Sequence, residues 1–280
     1  MQKGNQFNRF ASGMILVLIV CLLIVSPAWP NADKDRKNVA KSLNKEIQQA
    51  HFQKVYVSDF LDPSGGRNEQ GCYFASVFST NLTKIAQDFA VVNRIEAQKK
   101  LDELHISTQD LQQPDALAKA ATALGADAVL IGSASISSKD ARLSLSLRDA
   151  SGKEVHAMDY HEKLQSSFEG NFPASQSQDG HAYYFPGLDG ISQPICIFCP
   201  NPDYTDEARR NGVQGSVIVS VILDERGTIK DVRVVSSSDD SMTKQCLDIL
   251  KKWRMKPSED GNGNSVPIRA PIEITFRLLN

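Results

Sequence analysis

The strongest constraint on the fold is a regular alternation of apolar and polar residues close to the C-terminus. Its apolar members are Ile272, Ile274, Phe276 and Leu278. This period of two is typical of a strand with one buried face. Residues 216–223 alternate in the same way, and the Asp-Glu-Arg-Gly turn at 224–227 leads into a return strand over residues 228–236. The C-terminal part of the chain is therefore predicted to contain an antiparallel sheet of three strands.

Two helices are predicted beside these strands. Residues 241–255 carry an apolar residue every three or four positions, and Pro257 ends the pattern. Residues 204–211 form a shorter helix that closes at Gly212. The order helix, strand, strand, helix, strand predicts an α+β domain over residues 195–280, with two helices on a three-stranded antiparallel sheet.

The preceding part of the chain is predicted to hold a separate mixed α/β domain over residues 52–164. A short β-rich run at its start leads to a helix whose apolar face includes Phe78, and residues 141–147 alternate as a half-exposed strand. Its last three strands are predicted to form an antiparallel meander. Residues 31–51 are polar and are interpreted as a stalk, and residues 165–194, which show little periodicity, as a linker.

The N-terminal segment, residues 1–30, is a signal anchor or a signal peptide. Residues 11–29 are 19 residues without a charge, and Lys3 and Arg9 precede them. A helix of roughly 20 residues spans the hydrocarbon core of a membrane. Retained, it makes a single-pass protein of the bacterial inner membrane with the bulk of the chain in the periplasm; cleaved after Ala28, it leaves a soluble periplasmic protein.

The C-terminal domain carries several short motifs in a fixed order. They are Pro202-x-Tyr204, Ala208-Arg209, Gly212-x-Gln214-Gly215, the Val-Val-Ser-Ser-Ser run at 234–238, and Trp253-Arg254-x-x-Pro257 before the last strand. With these motifs, residues 195–280 resemble the C-terminal domain of the TonB energy-transducing family. This resemblance implies a domain that binds segments of outer-membrane transporters.

The binding mode implied by this resemblance is strand addition, in which main-chain groups at the edge of a sheet pair with an extended peptide. The candidate edge is residues 272–278, assisted by residues 201–204. The implied partner-binding residues are Asn201, Pro202, Tyr204, Ile272, Ile274 and Phe276. The family also implies transmission of energy for transmembrane transport and contact with an inner-membrane motor complex.

One feature of the sequence keeps an alternative function open. Family anchors carry a histidine in the membrane helix, whereas all histidines of this chain lie at His51 or beyond. The alternative is a periplasmic structural or assembly protein that docks partners without transducing energy.

The α/β domain resembles the envelope domain shared by CsgG, FlgO and the N-terminal part of TolB. The matching residues are a first strand that ends in Asp59-Phe60, the Val-Val-Asn-Arg step at 91–94, and the run from Leu124 to Gly132. The resemblance implies a fold and names no ligand.

The cysteines and the charge balance exclude several classes of function. A structural disulfide is predicted either between Cys196 and Cys199 or from one of them to Cys246. Prolines at 194 and 200 favour extended chain rather than the helix N-terminus that a thioredoxin-like cysteine requires, and no second ligand pair suggests a metal site. We predict no catalytic residue, no metal, no cofactor and no enzyme activity. Residues 195–280 carry 12 basic and 12 acidic side chains, so no nucleic-acid partner is predicted.

Overall fold

The computed structural model describes residues 30–137, 140–163, 183–212 and 214–276. The helices are α1 Pro30–Gln49, α2 Glu69–Ile85, α3 Arg94–Glu103, α4 Pro114–Leu124, α5 Asp206–Arg210 and α6 Asp240–Leu250, with a short 3-10 helix at Asp110–Gln112. The strands are β1 Lys54–Val57, β2 Ala90–Val91, β3 Ala128–Ile136, β4 Asp140–Asp149, β5 Glu154–Lys163, β6 Ile195–Phe198, β7 Gly215–Leu223, β8 Ile229–Ser237, β9 Arg254–Lys256, β10 Ser258–Glu259, β11 Ser265–Val266 and β12 Ile268–Phe276. The mixture of helices and antiparallel sheets confirms the predicted α+β class.

A five-stranded sheet in the order β2-β1-β3-β4-β5 forms the centre of the first unit. Strands β2, β1 and β3 run parallel, and β3, β4 and β5 form the predicted antiparallel meander. Helices α1 and α2 pack on one face of this sheet, and α3 and α4 pack on the other. Consecutive helices on opposite faces create a doubly wound arrangement around β1.

The segment predicted as a polar stalk with some helical tendency forms helix α1, which packs on the first sheet instead of standing free. Val39, Leu43 and Ile47 are buried against the sheet, and Arg36 forms a buried ion pair with Glu162 of β5. The spacing of the three apolar residues, four positions apart, is the helical signal that a predominantly polar composition obscured. This segment is therefore part of the first core.

The C-terminal unit contains the predicted three-stranded antiparallel sheet, in the order β12-β7-β8. Its core is formed by the inward faces of these strands and by α5 and α6. Trp253 is fully buried, and its Nε1 donates a hydrogen bond to the Pro200 carbonyl at 3.0 Å. The predicted helix over 241–255 is shorter than expected, because residues 254–256 form β9 and pair with β6.

The predicted linker is partly built into the fold. Residues 164–182 lie outside the described part of the chain, but residues 183–191 form a strap in which Phe185, Leu188 and Ile191 are buried. Asp189 of this strap forms an ion pair with Arg94 of α3. The second half of the predicted linker therefore packs against both units, and its interpretation as a free spacer was wrong.

Within the described ranges, no helix combines the length and the apolarity that crossing a membrane requires. The predicted membrane segment, residues 11–29, lies outside these ranges.

Candidate functional site

Strand β12 lies at an edge of the C-terminal sheet, since β7 is its only neighbour in that sheet. Its first residues are covered on the outer side by the strap. The Tyr184 amide donates to the Pro267 carbonyl, and the Arg269 amide donates to the Tyr184 carbonyl, at 3.1 and 3.0 Å. The main-chain groups of 267 and 269 therefore point away from β7.

This orientation determines which residues of β12 are available to a partner. Main-chain groups of successive residues in a strand point to opposite edges. Because Arg269 points outward and the pairing with β7 has no register shift, Pro271, Glu273 and Thr275 also point outward. Pro271 has no amide hydrogen to donate, and its outward position at a sheet edge is one where proline is tolerated. Among the described residues, no main-chain partner occupies the outer edge at Glu273 and Thr275.

The β12 residues that the sequence predicts to bind a partner lie on the inner side of the strand. Ile272, Ile274 and Phe276 are 1%, 0% and 0% exposed, and their main-chain groups face β7. Neither their side chains nor their amides can reach an added strand. Alternation identified the buried side chains correctly, but in a strand the direction of the amide must be assigned separately from the direction of the side chain.

The segment at 201–204 contributes to the core rather than to an open surface. Tyr204 is 5% exposed, and its ring packs edge-on against Phe276 with 5.6 Å between the centroids. Pro202 is also buried, whereas Asn201 is exposed. Of the three residues predicted here to bind a partner, only Asn201 is accessible.

The Tyr204 hydroxyl provides a test of this structural role. It is buried and has no hydrogen-bond partner among the described residues. Because an unsatisfied buried hydroxyl destabilises a fold, Tyr204→Phe is expected to raise the free energy of unfolding by up to about 1 kcal/mol. Urea unfolding of the two proteins measures the difference. A clear loss of stability in Tyr204→Phe would contradict this assignment.

Cys196 and Cys199 are joined by a disulfide at the ends of a short exposed segment. Cys246 is buried in the second core as a free thiol, which excludes its pairing with either of them in this structure. The disulfide joins Cys196 within β6 to Cys199 just after it. The side chains of Ile195, Ile197 and Phe198 in this strand are 59%, 69% and 58% exposed. The sequence patterns did not predict β6 or its pairing with β9.

The two units are held together by a charged contact. Arg269 of β12 is 3% exposed, and its Nη2 donates to Glu69 Oε1 at 2.8 Å, at the start of α2. The Arg269 guanidinium also lies over the Tyr183 ring of the strap, 5.4 Å from its centroid. The face of the C-terminal sheet opposite its core therefore rests on the first unit at this point.

A second group of charged residues lies where β1 and β2 end. Asp59 accepts hydrogen bonds from Arg67 and Arg94, and Arg94 Nε donates to Asp189 Oδ2 at 3.1 Å. Burial opposes ionisation of Asp59, but the positive charges of Arg94 and Arg67 outweigh it and lower its pKa to about 2. Sequence analysis used Asp59 and Arg94 only as fold markers and missed this cluster, because its members are far apart in the chain.

Two features near these sites concern chemistry other than binding: the arrangement of candidate metal ligands and the pKa of one thiol. No group of three or more His, Cys, Asp or Glu side chains within the described ranges is arranged to hold a metal ion. Burial raises the pKa of the Cys72 thiol to about 12, so this thiol, which lines the same region as Asp59, is protonated at neutral pH and a poor nucleophile.

Comparisons with known proteins match the C-terminal unit. Residues 200–278 match the family model described as Gram-negative bacterial TonB protein C-terminal. Protein TonB of Vibrio cholerae serotype O1 is 32% identical over 95 residues, which are 31% of this chain and 38% of that protein. The chain thus spans well under half the length of this curated relative.

Two solved structures also show similarity. The solution structure of the Pseudomonas aeruginosa TonB CTD is 25% identical with a TM-score of 0.28, and covers 31% of this chain and 88% of its own. The LpoB C-terminal domain from Salmonella enterica is 16% identical with a TM-score of 0.38, and the match covers 47% of this chain and 98% of that domain. Residues 200–278 therefore match the TonB C-terminal family model, in agreement with the resemblance that the motifs indicated.

Proposed function

We propose that the protein is a non-enzymatic protein of the bacterial envelope whose TonB C-terminal domain binds an extended segment of an outer-membrane transporter. The observation that carries this proposal is the edge of β12 from Pro271 to Phe276. There, the outward main-chain groups of Glu273 and Thr275 have no partner among the described residues. Such an edge accepts a further strand through main-chain hydrogen bonds.

The length of the open edge limits the strength of binding. Glu273 and Thr275 each offer an amide and a carbonyl, and Pro271 adds a carbonyl. With a net contribution of about 1 kcal/mol for each hydrogen bond, five bonds correspond to roughly millimolar affinity. Tighter binding therefore requires side-chain contacts outside β12, and exposed Asn201 is positioned in the chain segment that the family resemblance implicates.

Replacing Glu273 by proline tests the role of the main chain. Proline removes one outward amide but leaves the pairing with β7 intact, because that amide does not face β7. We expect the affinity of the full chain for a labelled transporter-segment peptide to fall about fivefold, the effect of one lost hydrogen bond of about 1 kcal/mol, measured by fluorescence anisotropy. The matched control is Glu273→Val, which changes the side chain and keeps the amide, and should bind like the original protein.

Two outcomes would contradict strand addition at β12. One is unchanged binding by Glu273→Pro, and the other is an equal loss in both Glu273 variants, which would indicate a side-chain contact. We expect Glu273→Pro to keep the fold, because Pro271 already occupies an equivalent outward position in the same strand. Thermal unfolding of each variant checks this.

The location of the chain is a separate part of the proposal. A retained anchor at residues 11–29 places the protein in the inner membrane with its bulk in the periplasm, within reach of a motor complex. N-terminal sequencing of the protein purified from membranes tests this, because a mature chain that begins at Trp29 has lost the anchor.

The alternative function, a docking protein that transduces no energy, is favoured by one observation. The C-terminal domain rests on the first unit through Arg269 and Glu69 and through the strap. A domain held in this way has a shorter reach than one at the end of a free spacer. Transport assays in cells that carry the Glu273→Pro variant separate the two: loss of energy-dependent uptake supports transduction, and unchanged uptake with lost peptide binding supports docking alone.

A further inference from the structure

The first unit has a crevice at the position where doubly wound sheets bind ligands. After β1 the chain passes to α2 on one face of the sheet, and after β2 it passes to α3 on the other face. Adjacent strands whose connections diverge leave an opening beyond their carboxyl ends, and ligands of such folds bind there. A small, partly open cleft of about 30 Å³ occupies this position and is lined by Asp59, Arg67 and Arg94.

The charges in the cleft form a chain of alternating sign. It runs Arg67, Asp59, Arg94, Asp189. Asp59 binds both arginines, and Arg94 binds both aspartates and also donates to the Val57 carbonyl at 2.9 Å. Asp59 and Arg94, the two inner residues of this chain of charges, are each paired on both sides, and their side chains are 5% and 10% exposed.

Arg67 is the end of this chain that faces solvent. Its Nε donates to Asp59 Oδ2 at 2.5 Å, and its side chain is 35% exposed. The two Nη atoms have no hydrogen-bond partner among the described residues. A guanidinium offers five N–H donors in a planar fork, so most of the binding capacity of Arg67 is unused. One negative charge beside Arg67 would extend the alternation of signs by a single step.

Much of the remaining lining of the cleft is aromatic. Tyr183, Tyr184 and Phe185 of the strap line it together with Tyr56 and the amide side chain of Gln98. Flat apolar rings beside a small number of oriented polar groups are the usual composition of small-molecule sites. The enclosed space is small and part of the cleft is open to solvent, so it admits the charged end of a ligand whose remainder lies at the opening.

We propose that this cleft binds a small monocarboxylate with an apolar body. The carboxylate pairs with the Nη atoms of Arg67 in the bidentate geometry that carboxylate and guanidinium share. The body of the ligand packs against the aromatic residues of the strap. A single negative charge is favoured over a phosphate, because Asp59 and Asp189 are close by and repel a second charge.

The test uses the full chain in detergent micelles and isothermal titration with four probes: propionate, phenylacetate, phenylacetamide and inorganic phosphate. Phenylacetate should bind at least fivefold more tightly than propionate because its ring contacts the strap. Phenylacetamide, which has the ring but no charge, should show no binding. Tighter binding of phosphate than of either carboxylate, or equal binding of phenylacetamide, would overturn the proposal.

A variant pair assigns the binding to Arg67. Arg67→Gln should weaken phenylacetate binding at least tenfold, whereas Arg142→Gln, at an exposed arginine of β4, should leave it unchanged. Equal effects of the two changes would contradict the assignment.

A second measurement needs no variant and so does not depend on the stability of Arg67→Gln. Modification of arginines by 2,3-butanedione, mapped by peptide mass, should be several-fold slower at Arg67 when phenylacetate is present, and unchanged at Arg142. An unchanged rate at Arg67 with saturating phenylacetate would exclude this site.

Discussion

Replacing Asp59 by alanine is expected to lower the free energy of unfolding by about 3–5 kcal/mol, which is the usual effect of breaking a buried ion pair from one side. The side chain of Asp59 is 5% exposed and holds both Arg67 and Arg94. Without it, Arg94 keeps only Asp189 and the Val57 carbonyl. The large effect arises because the buried Arg94 guanidinium would then pair with one carboxylate instead of two.

Urea unfolding, monitored by circular dichroism, measures this difference. Asp88→Ala is the control, because Asp88 is exposed. Among the described residues, its side chain accepts a hydrogen bond from Gln48 alone. A change of less than about 0.5 kcal/mol is expected there. A loss of the same small size in Asp59→Ala would show that the charged chain does not stabilise the first unit.

The pH dependence of the same two proteins gives an independent check. The pKa of Asp59 is lowered to about 2 in the folded protein, below its ordinary value near 4. Its stabilising contribution is therefore complete above about pH 4 and is lost as the pH falls toward 2. The stability difference between the original protein and Asp59→Ala should shrink over this range, and a constant difference from pH 6 to pH 2 would contradict the role of the ionised carboxylate.

Replacing Gly227 by alanine is expected to disrupt the C-terminal domain, with a loss of about 2–5 kcal/mol. Gly227 adopts φ +74, which alone costs an alanine roughly 1–2 kcal/mol. A Cβ at this position would also lie 1.7 Å from the Met255 carbonyl oxygen, a main-chain atom that cannot rotate away. Strand β9 would have to move, and overpacking of this kind typically costs a further 1–3 kcal/mol.

Two other glycines separate these contributions. Gly212 has φ +62 but nothing within 4 Å of the added Cβ, so Gly212→Ala should show the backbone cost alone. Gly261 has neither constraint, and Gly261→Ala should be nearly neutral. Hydrogen exchange of the β9 and β12 amides reports the outcome for each variant. A ranking other than Gly227, Gly212, Gly261 would contradict the close approach of the 224–227 turn to β9.

Sequence periodicity predicted strands and helices correctly where buried and exposed residues recur at regular intervals. The alternation in β12 identified the apolar face that enters the second core, and the stretch from 241 onward identified α6. Turn and cap residues also act locally: Gly212, predicted to close the helix over residues 204–211, adopts φ +62 shortly after the end of α5. The short strands β6 and β9 escaped prediction, because four and three residues are too few to show a period.

The sequence by itself determined the class of the fold, the order of the main elements of the C-terminal domain and its resemblance to the TonB C-terminal family, because side-chain burial and turn conformation are encoded in neighbouring residues. Only the tertiary structure decided that the outward amides of β12 belong to Glu273 and Thr275, since this depends on which strand occupies the other edge. Tertiary structure alone also brought Asp189 to Arg94, and Glu69 to Arg269 across the two units. Such contacts join residues about a hundred positions apart or more, and no local pattern records them.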